Sequence, residues 1–364
     1  MGGHSRPVLP RTARMLGAAL LAVPLLVPAL ATPAAADAPT AFTEVNQVSN
    51  VPGRAALTDP DVVNAWGLAL SPTSPLWVAN NGTDTSTLYA GGANGATVTK
   101  VSLTVAVAGA PTGQAFNNTT SFVVTGPNGS GPARFLFDTE SGDLAGWSPA
   151  AAPTTAIVAA HAEGAIYKGL ALLHTDAGPF LLAADFHNAR IDVYDGQFQR
   201  VEMPAPFLTD PGLPAGYAPF NVAALGGSIY VAYAKQDAAG EDEEAGPSLG
   251  FVDRFNASGM LAHRVASHGL LNVPWGLAIA PDSFGRFAGD LLVGNFGDGR
   301  ITAFHPGHGV DGQLGDASGQ PIEIDGLWAL LPGTANTGGT DAVWFSAGPD
   351  DEANGLVGLI RPAG

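Results

Sequence analysis

The sequence predicts an all-β fold: a six-bladed β-propeller closed by an N-terminal strand that completes the last blade. Three observations carry this expectation. The first is composition. Of 364 residues, 48 are Gly and 29 are Pro, 46% are hydrophobic and only 13% are charged. Gly and Pro at that density, without a Gly-X-Y period, mean many turns. The apolar share supplies a packed core, which excludes a disordered chain and suits turn-rich β structure better than helices. The second is a phrase that recurs six times. The third is the train of short apolar strands that follows each copy.

The repeated phrase is clearest as Trp66-Gly67-Leu68-Ala69-Leu70, Trp275-Gly276-Leu277-Ala278-Ile279 and Lys168-Gly169-Leu170-Ala171-Leu172. Weaker copies are Thr112-Gly113-Gln114-Ala115-Phe116, Phe220-Asn221-Val222-Ala223-Ala224 and Asp325-Gly326-Leu327-Trp328-Ala329. Successive copies are 46, 56, 52, 55 and 50 residues apart, a period that marks a repeat architecture. A second strand follows each copy: Leu76–Ala79, Phe135–Phe137, Phe180–Ala184, Ile229–Ala234, Asp290–Gly294 and Ala342–Ser346. Turn residues and a third strand come next, as in Ile191–Tyr194 and Ile301–Phe304. Several antiparallel strands per unit read as propeller blades of four strands each. Small residues in the first strand suit the crowded axis. The last unit shows three strands only, and Phe42–Val51 belongs to no unit. It is placed to supply the missing outer strand and remove an open edge. Within the units Asn80, Asp138, Asp185 and Asn295 each close a second strand. Each lies nine residues before an aromatic in the third: Tyr89, Trp147, Tyr194 and Phe304.

Residues 1–36 read as an address. Arg6, Arg11 and Arg14 precede an apolar stretch from Met15 to Ala31, and Ala34-Ala35-Ala36 offers small residues at a cleavage site before Asp37. This is the layout of a secretory signal peptide, with residues 37–364 as one propeller domain and a secreted, extracellular location. Pro24 and Pro28 interrupt a run already short for a membrane span, and no second long apolar run follows. With no cysteine the chain carries no disulfide. Without the three N-terminal arginines, 12 basic side chains face 32 acidic ones, a formal charge of −20. Such a surface repels nucleic acid and anionic lipid. The run Glu241-Asp242-Glu243-Glu244 reads as a solvated loop tip.

In an antiparallel blade the start of strand one and the end of strand two share a face. One rim of the channel is therefore expected to gather Asn64, Trp66, Lys168, Phe220, Asn221, Trp275 and Asp325 with Asn80, Asp138, Asp185, His187, Lys235, Asn295 and Asp350. Asn64, Lys168, Asn221, Lys235, Asp325 and His187 are candidates for ligand binding. Asn80, Asp138, Asp185 and Asn295 offer hard oxygens suited to Ca²⁺, although Asn and Asp at strand ends also cap turns through their own backbone. The loops Leu57-Thr58-Asp59-Pro60 and Leu208-Thr209-Asp210-Pro211 echo each other on the same face. Gly246-Pro247-Ser248-Leu249-Gly250 matches G-x-S-x-G but lacks the strand–turn–helix setting of a nucleophile elbow. Asp138-Thr139-Glu140-Ser141-Gly142-Asp143 lacks the spacing of an EF-hand loop, and no zinc, P-loop or dinucleotide motif occurs.

Several phrases resemble an uncharacterised family of secreted bacterial proteins. They are Leu57-Thr58-Asp59-Pro60 with Asn64-Ala65-Trp66-Gly67-Leu68, Tyr217-Ala218-Pro219-Phe220-Asn221-Val222, Ala234-Lys235-Gln236-Asp237, Val293-Gly294-Asn295-Phe296-Gly297-Asp298-Gly299-Arg300 and Ala347-Gly348-Pro349-Asp350-Asp351-Glu352. The resemblance implies a bacterial, exported propeller related to the NHL and lactonase-like types, and it implies no activity. Two functions follow. One is a monomeric extracellular protein whose acidic rim holds a small polar ligand, a cell-wall component or a protein. The alternative is a metal-dependent hydrolase or lyase, with Asp185 or Asp138 as base and Lys168 or Lys235 stabilising an oxyanion.

Overall fold

The repeated phrase forms a strand that opens with a β-bulge, and six such strands line the axis of a β-propeller. The computed structural model describes residues 1–3 and 39–363; apart from its first three residues, the expected signal peptide lies outside them. The inner strands are Ala65–Ala69, Pro111–Phe116, Tyr167–Thr175, Tyr217–Leu225, Pro274–Ile279 and Leu327–Pro332. Each pairs antiparallel with the second strand of its blade, and in every pair the register slips near one rim. The slip leaves one residue per blade at the bulge: Trp66, Thr112, Lys168, Phe220, Trp275 and Trp328. In four blades a glycine follows, and it has a packing reason at Gly67 and Gly113. A Cβ on Gly67 would lie 2.3 Å from the Thr112 carbonyl oxygen, and one on Gly113 would lie 2.3 Å from the Leu170 nitrogen. Neighbouring inner strands touch at these two glycines, and no side chain fits there, whereas blades four and six carry Asn221 and Ala329 at that place.

The sixth copy begins three residues later than the sequence pattern suggests. Leu327 pairs with Ala347 and Leu330 with Phe345, as Ala65 pairs with Asn80 and Leu68 with Val78. Trp328-Ala329-Leu330 therefore continues the repeat, and Asp325 falls before the strand. Blade three is a second correction, having three strands rather than four: Tyr167–Thr175, Gly178–Asp185 and Arg190–Asp195. Pro204, Pro206, Pro211 and Pro214 follow, and a chain so short of N–H donors does not extend a ladder. Blades one, four and five are simple four-stranded sheets, while blade two carries an extra hairpin, Val123–Gly126 with Gly129–Pro132.

The closure is as expected. Phe42–Ser49 pairs antiparallel with Leu356–Pro362 as the outer strand of the blade that begins at Leu327, and Leu57–Thr58 adds a short parallel strand beyond it. Phe42 anchors the strand, buried with its ring 4.9 Å from Phe284 and 5.6 Å from Phe287. The core lies between blades. Tyr89, Trp147, Tyr194 and Phe304 pair with Leu76, Phe135, Leu181 and Leu291, four equivalent places that each face the preceding blade. Trp147 is half-buried and the other three are buried. Three single-turn 3₁₀ segments are the only helices among the described residues.

Candidate functional site

The bulge brings Trp66, Lys168, Phe220, Trp275 and Trp328 together across the axis and closes the channel there. Trp66 stacks on Trp328 with ring centroids 3.6 Å apart, and Trp275 meets Trp328 edge-on at 6.0 Å. Phe220 lies 5.9 Å from Trp328. Lys168 holds the third blade's place in this plug. It is 2% exposed, with its ammonium 5.4 Å from the Trp66 ring centre. Its own carbonyl accepts a 2.8 Å hydrogen bond from Trp275 Nε1.

Above the plug, carboxylates from three blades converge on that one ammonium. Lys168 Nζ donates to Glu140 Oε1 at 2.5 Å and to Asp242 Oδ1 at 3.1 Å. Asn81 Nδ2 donates to the other Glu140 oxygen at 2.9 Å. Asn64 Nδ2 donates to Glu352 Oε2 at 2.5 Å, and Asn64 Oδ1 accepts from Trp328 Nε1 at 2.8 Å. Negative charge is in surplus here. Burial pushes the Glu243 carboxyl up to about 7, although Lys168 opposes the shift. Burial also raises Glu352, with Lys168 again opposing and Glu140 adding repulsion. For Lys168, burial alone would lower the pKa, but Glu140, Glu243 and Asp242 outweigh it and hold the amine protonated.

The turn that brings in Glu352 is unusual. Asp350, Asp351 and Glu352 have φ of 60°, 51° and 63°, three consecutive left-handed residues that each cost about 1–2 kcal/mol. Bracing offsets the strain. Asp325 Oδ2 accepts from the Asp350 N–H at 2.9 Å, and Arg54 Nη1 pairs with Asp350 Oδ2 at 2.9 Å. The loop carrying Asp242 and Glu243 is braced in the same way. Gln236 Nε2 donates to the Phe186 carbonyl at 2.7 Å, His187 Nδ1 lies 3.1 Å from the Gly240 carbonyl, and Lys235 pairs with Glu244. Of the expected ligand-binding residues, Lys168 and Asn64 are therefore in the cluster. Asp325, His187 and Lys235 are struts beside it. Asn221 is a buried link, donating to the Trp275 carbonyl at 2.8 Å.

The four expected metal ligands each hydrogen-bond within or beside their own blade and do not converge, although Asn80 Oδ1, Asp138 Oδ2 and Asn295 Oδ1 are buried without a partner among the described residues. Asn80 Nδ2 donates to Thr85 and Thr87, Asp185 accepts from Asn188 and pairs with Arg190, and Asn295 Nδ2 donates to Leu270 and Asp298. Asp138 departs further from the pattern. The blade-two hairpin is one residue shorter, so Thr139, which pairs with Pro111 as Asn80 pairs with Ala65, holds the equivalent place. Asp138 instead accepts from the Gly113 N–H at 2.6 Å and the Thr112 hydroxyl at 3.0 Å. Burial pushes it up to about 7. Among the described residues no three His, Cys, Asp or Glu side chains form a group that could hold a metal ion. Glu140, the side chain of blade two that reaches Lys168, lies one residue further along than the strand end. Residues at the strand end turn back into the hairpin, and the next ones, Asn81 and Glu140, reach over the axis. In the acidic run Glu241, Asp242 and Glu244 are exposed, as expected of a solvated tip, while Glu243 is half-buried and Asp242 reaches Lys168 with one oxygen.

The echoing loops are clamps: Asp59 accepts from Tyr89 and Lys100, and Asp210 pairs with Arg264. On the far side of the plug the channel continues as a cavity of about 190 Å³, walled chiefly by Leu, Ala, Val and Gly of the inner strands.

The chain is 34% identical over 325 residues to an uncharacterised protein of Acanthamoeba polyphaga mimivirus, an alignment that covers 86% of this chain and 78% of the viral one. A second uncharacterised protein of the same virus is 33% identical over 330 residues, covering 86% and 84%. The chain belongs to the family of these viral proteins. No established family description matches it, and its relatives' names carry no activity. The fold is similar to that of a protein of unknown function from Bacteroides thetaiotaomicron, with a TM-score of 0.54 at 12% identity, covering 88% of this chain and 76% of the other.

Proposed function

We propose that the protein is an exported binding propeller whose acidic mouth holds a ligand carrying positive charge, such as an amine on a small molecule, a cell-wall component or a protein side chain. One observation carries the reading: Glu140, Asp242, Glu243 and Glu352 crowd a single buried cation, Lys168, beside an indole face. Four carboxylates against one ammonium leave a local excess of negative charge, which a second ammonium would neutralise. Trp66 already accepts a cation at its face, an interaction that strengthens when water is excluded. The basic and apolar N-terminal pattern before Asp37 supports export.

Binding is favoured over the hydrolase or lyase alternative by the burial of both candidate bases. Asp138 is enclosed against Gly113 and Thr112, and Asp185 is enclosed against Asn188 and Arg190. Titration calorimetry with spermidine tests the proposal, with CaCl₂ alone as a second arm. Saturable binding of spermidine, weakened about 10-fold by Glu352→Gln, is expected from the loss of one charge-assisted hydrogen bond. No saturable heat with the amine refutes it. Saturable calcium binding without amine binding would favour the metal-dependent alternative.

A further inference from the structure

A second pocket, which shares no lining residue with the mouth, carries the opposite charge. Between blades four and five a cavity of about 230 Å³ is lined by Tyr230, Arg254, His263, Leu291, Phe304 and His305, with Arg264 and Val265 at its side. The sheet register builds it. Tyr230, Arg254 and His263 are direct cross-strand neighbours on three successive strands of blade four. Leu291 and Phe304 are a cross-strand pair in blade five, and His305 follows. One wall therefore offers a row of polar donors and the other an apolar face.

Charge bookkeeping isolates Arg254. Nine arginines lie between residues 39 and 363. Seven stand within 4.0 Å of a carboxylate: Arg54, Arg190, Arg200, Arg264, Arg286, Arg300 and Arg361. Exposed Arg134 and half-buried Arg254 do not, among the described residues. Arg254 Nε donates to Ser228 Oγ at 2.9 Å, which fixes the plane of the guanidinium and leaves its terminal nitrogens without a carboxylate. The other charged groups nearby are already matched. Arg264 pairs with Asp210 and Asp253, and His305 Nδ1 lies 2.8 Å from Asp290 Oδ1. In a chain so rich in acid, a partly desolvated guanidinium that has captured no carboxylate of its own is arranged for one from outside.

We infer that this pocket binds a small monocarboxylate with an apolar body, its carboxylate forked on Arg254 beside His263 and its body against Leu291 and Phe304. Size fits the class. A dry apolar cavity of roughly 150 Å³ holds benzene, so this one takes a benzene-sized body with a carboxylate attached. The inference is independent of the acidic mouth, whose failure to bind amines would leave it standing.

Ligand-observed NMR of the full chain with benzoate tests it, with benzamide as the uncharged isostere and inorganic phosphate as a competing anion without an apolar body. Benzoate is expected to bind saturably, benzamide at least 10-fold more weakly, and phosphate not to displace benzoate at equal concentration. Arg254→Ala should weaken benzoate about 10-fold or more, while Arg134→Ala leaves it unchanged. Arg254→Lys keeps the charge but loses the fork, and should weaken it several-fold with an unaltered melting curve, so a folding defect in the alanine variant does not decide the outcome. Absence of saturation, equal binding of benzamide, displacement by phosphate or indifference to both Arg254 substitutions would each overturn the assignment.

Discussion

Replacing Lys168 by Met tests the charge balance of the mouth most directly, because it removes the one cation and keeps the length of the side chain. Lys168 is 2% exposed, its partner Glu140 is 30% exposed on the side chain and Asp242 is 74% exposed. Breaking a buried ion pair by removing one partner costs about 3–5 kcal/mol. Asp242 is largely solvated and contributes little, so the lower end, about 3 kcal/mol, applies. A chain of this size unfolds with an entropy of about 0.7 kcal/mol per kelvin, and the melting temperature should fall by about 4 °C at pH 8. The pH dependence is the sharper signature. The Glu243 carboxyl is at about 7 in the folded protein against 4.5 ordinarily, so the folded state binds its proton more tightly than the unfolded one. Its contribution to stability is then full below about pH 4.5 and declines as pH rises toward 7. Lys168 limits that decline, and without it the decline steepens. Scanning calorimetry of Lys168→Met should show a deficit at pH 8 well above that at pH 5, where Glu243 is protonated. Equal deficits at the two pH values, or none, would refute the assignment of Lys168 as counter-ion to the cluster.

Further outcomes follow from the fold. Deleting residues 37–51 removes the outer strand of the last blade and the buried Phe42, and should broaden the unfolding transition and lower its midpoint, read by circular dichroism. Trp77→Ala, at a buried ring stacked 3.9 Å from Phe135, should cost about 3–5 kcal/mol in urea unfolding. Trp147→Ala should cost less, since that ring is half-buried. Asp138→Asn should raise stability at pH 8 relative to pH 4 in the same assay, because the folded Asp138 carboxyl is at about 7 against 3.8 ordinarily and the amide removes the cost of ionising it in the interior.

What was legible in the sequence follows one physical division. Strand positions were legible because blades repeat and hydrophobic alternation survives repetition. Leu76 opposite Tyr89 and Leu291 opposite Phe304 are the same contact made twice, and the closure by Phe42–Ser49 follows from a unit that lacks one strand. The repeat failed where something other than the period decided the outcome. Proline removed the fourth strand of blade three, and the phrase beginning at Asp325 imitated a repeat that begins at Trp328. The acidic cluster around Lys168 lies one residue off the pattern for the same reason. A spacing of nine is shared by Asp138 and Asn80, yet a hairpin shortened by one residue gives the equivalent place to Thr139 and sends Glu140 to the axis. Asp242, Glu243 and Glu352 lie on loops that have no counterpart in the other blades. Their destination is set by Lys168, a buried cation at a position where three other blades place tryptophan. A lysine in an otherwise aromatic row was the available sign: an ammonium taken out of water must draw carboxylates toward it, and the long acidic loop and the left-handed turn at Asp350 are the two segments free enough to supply them.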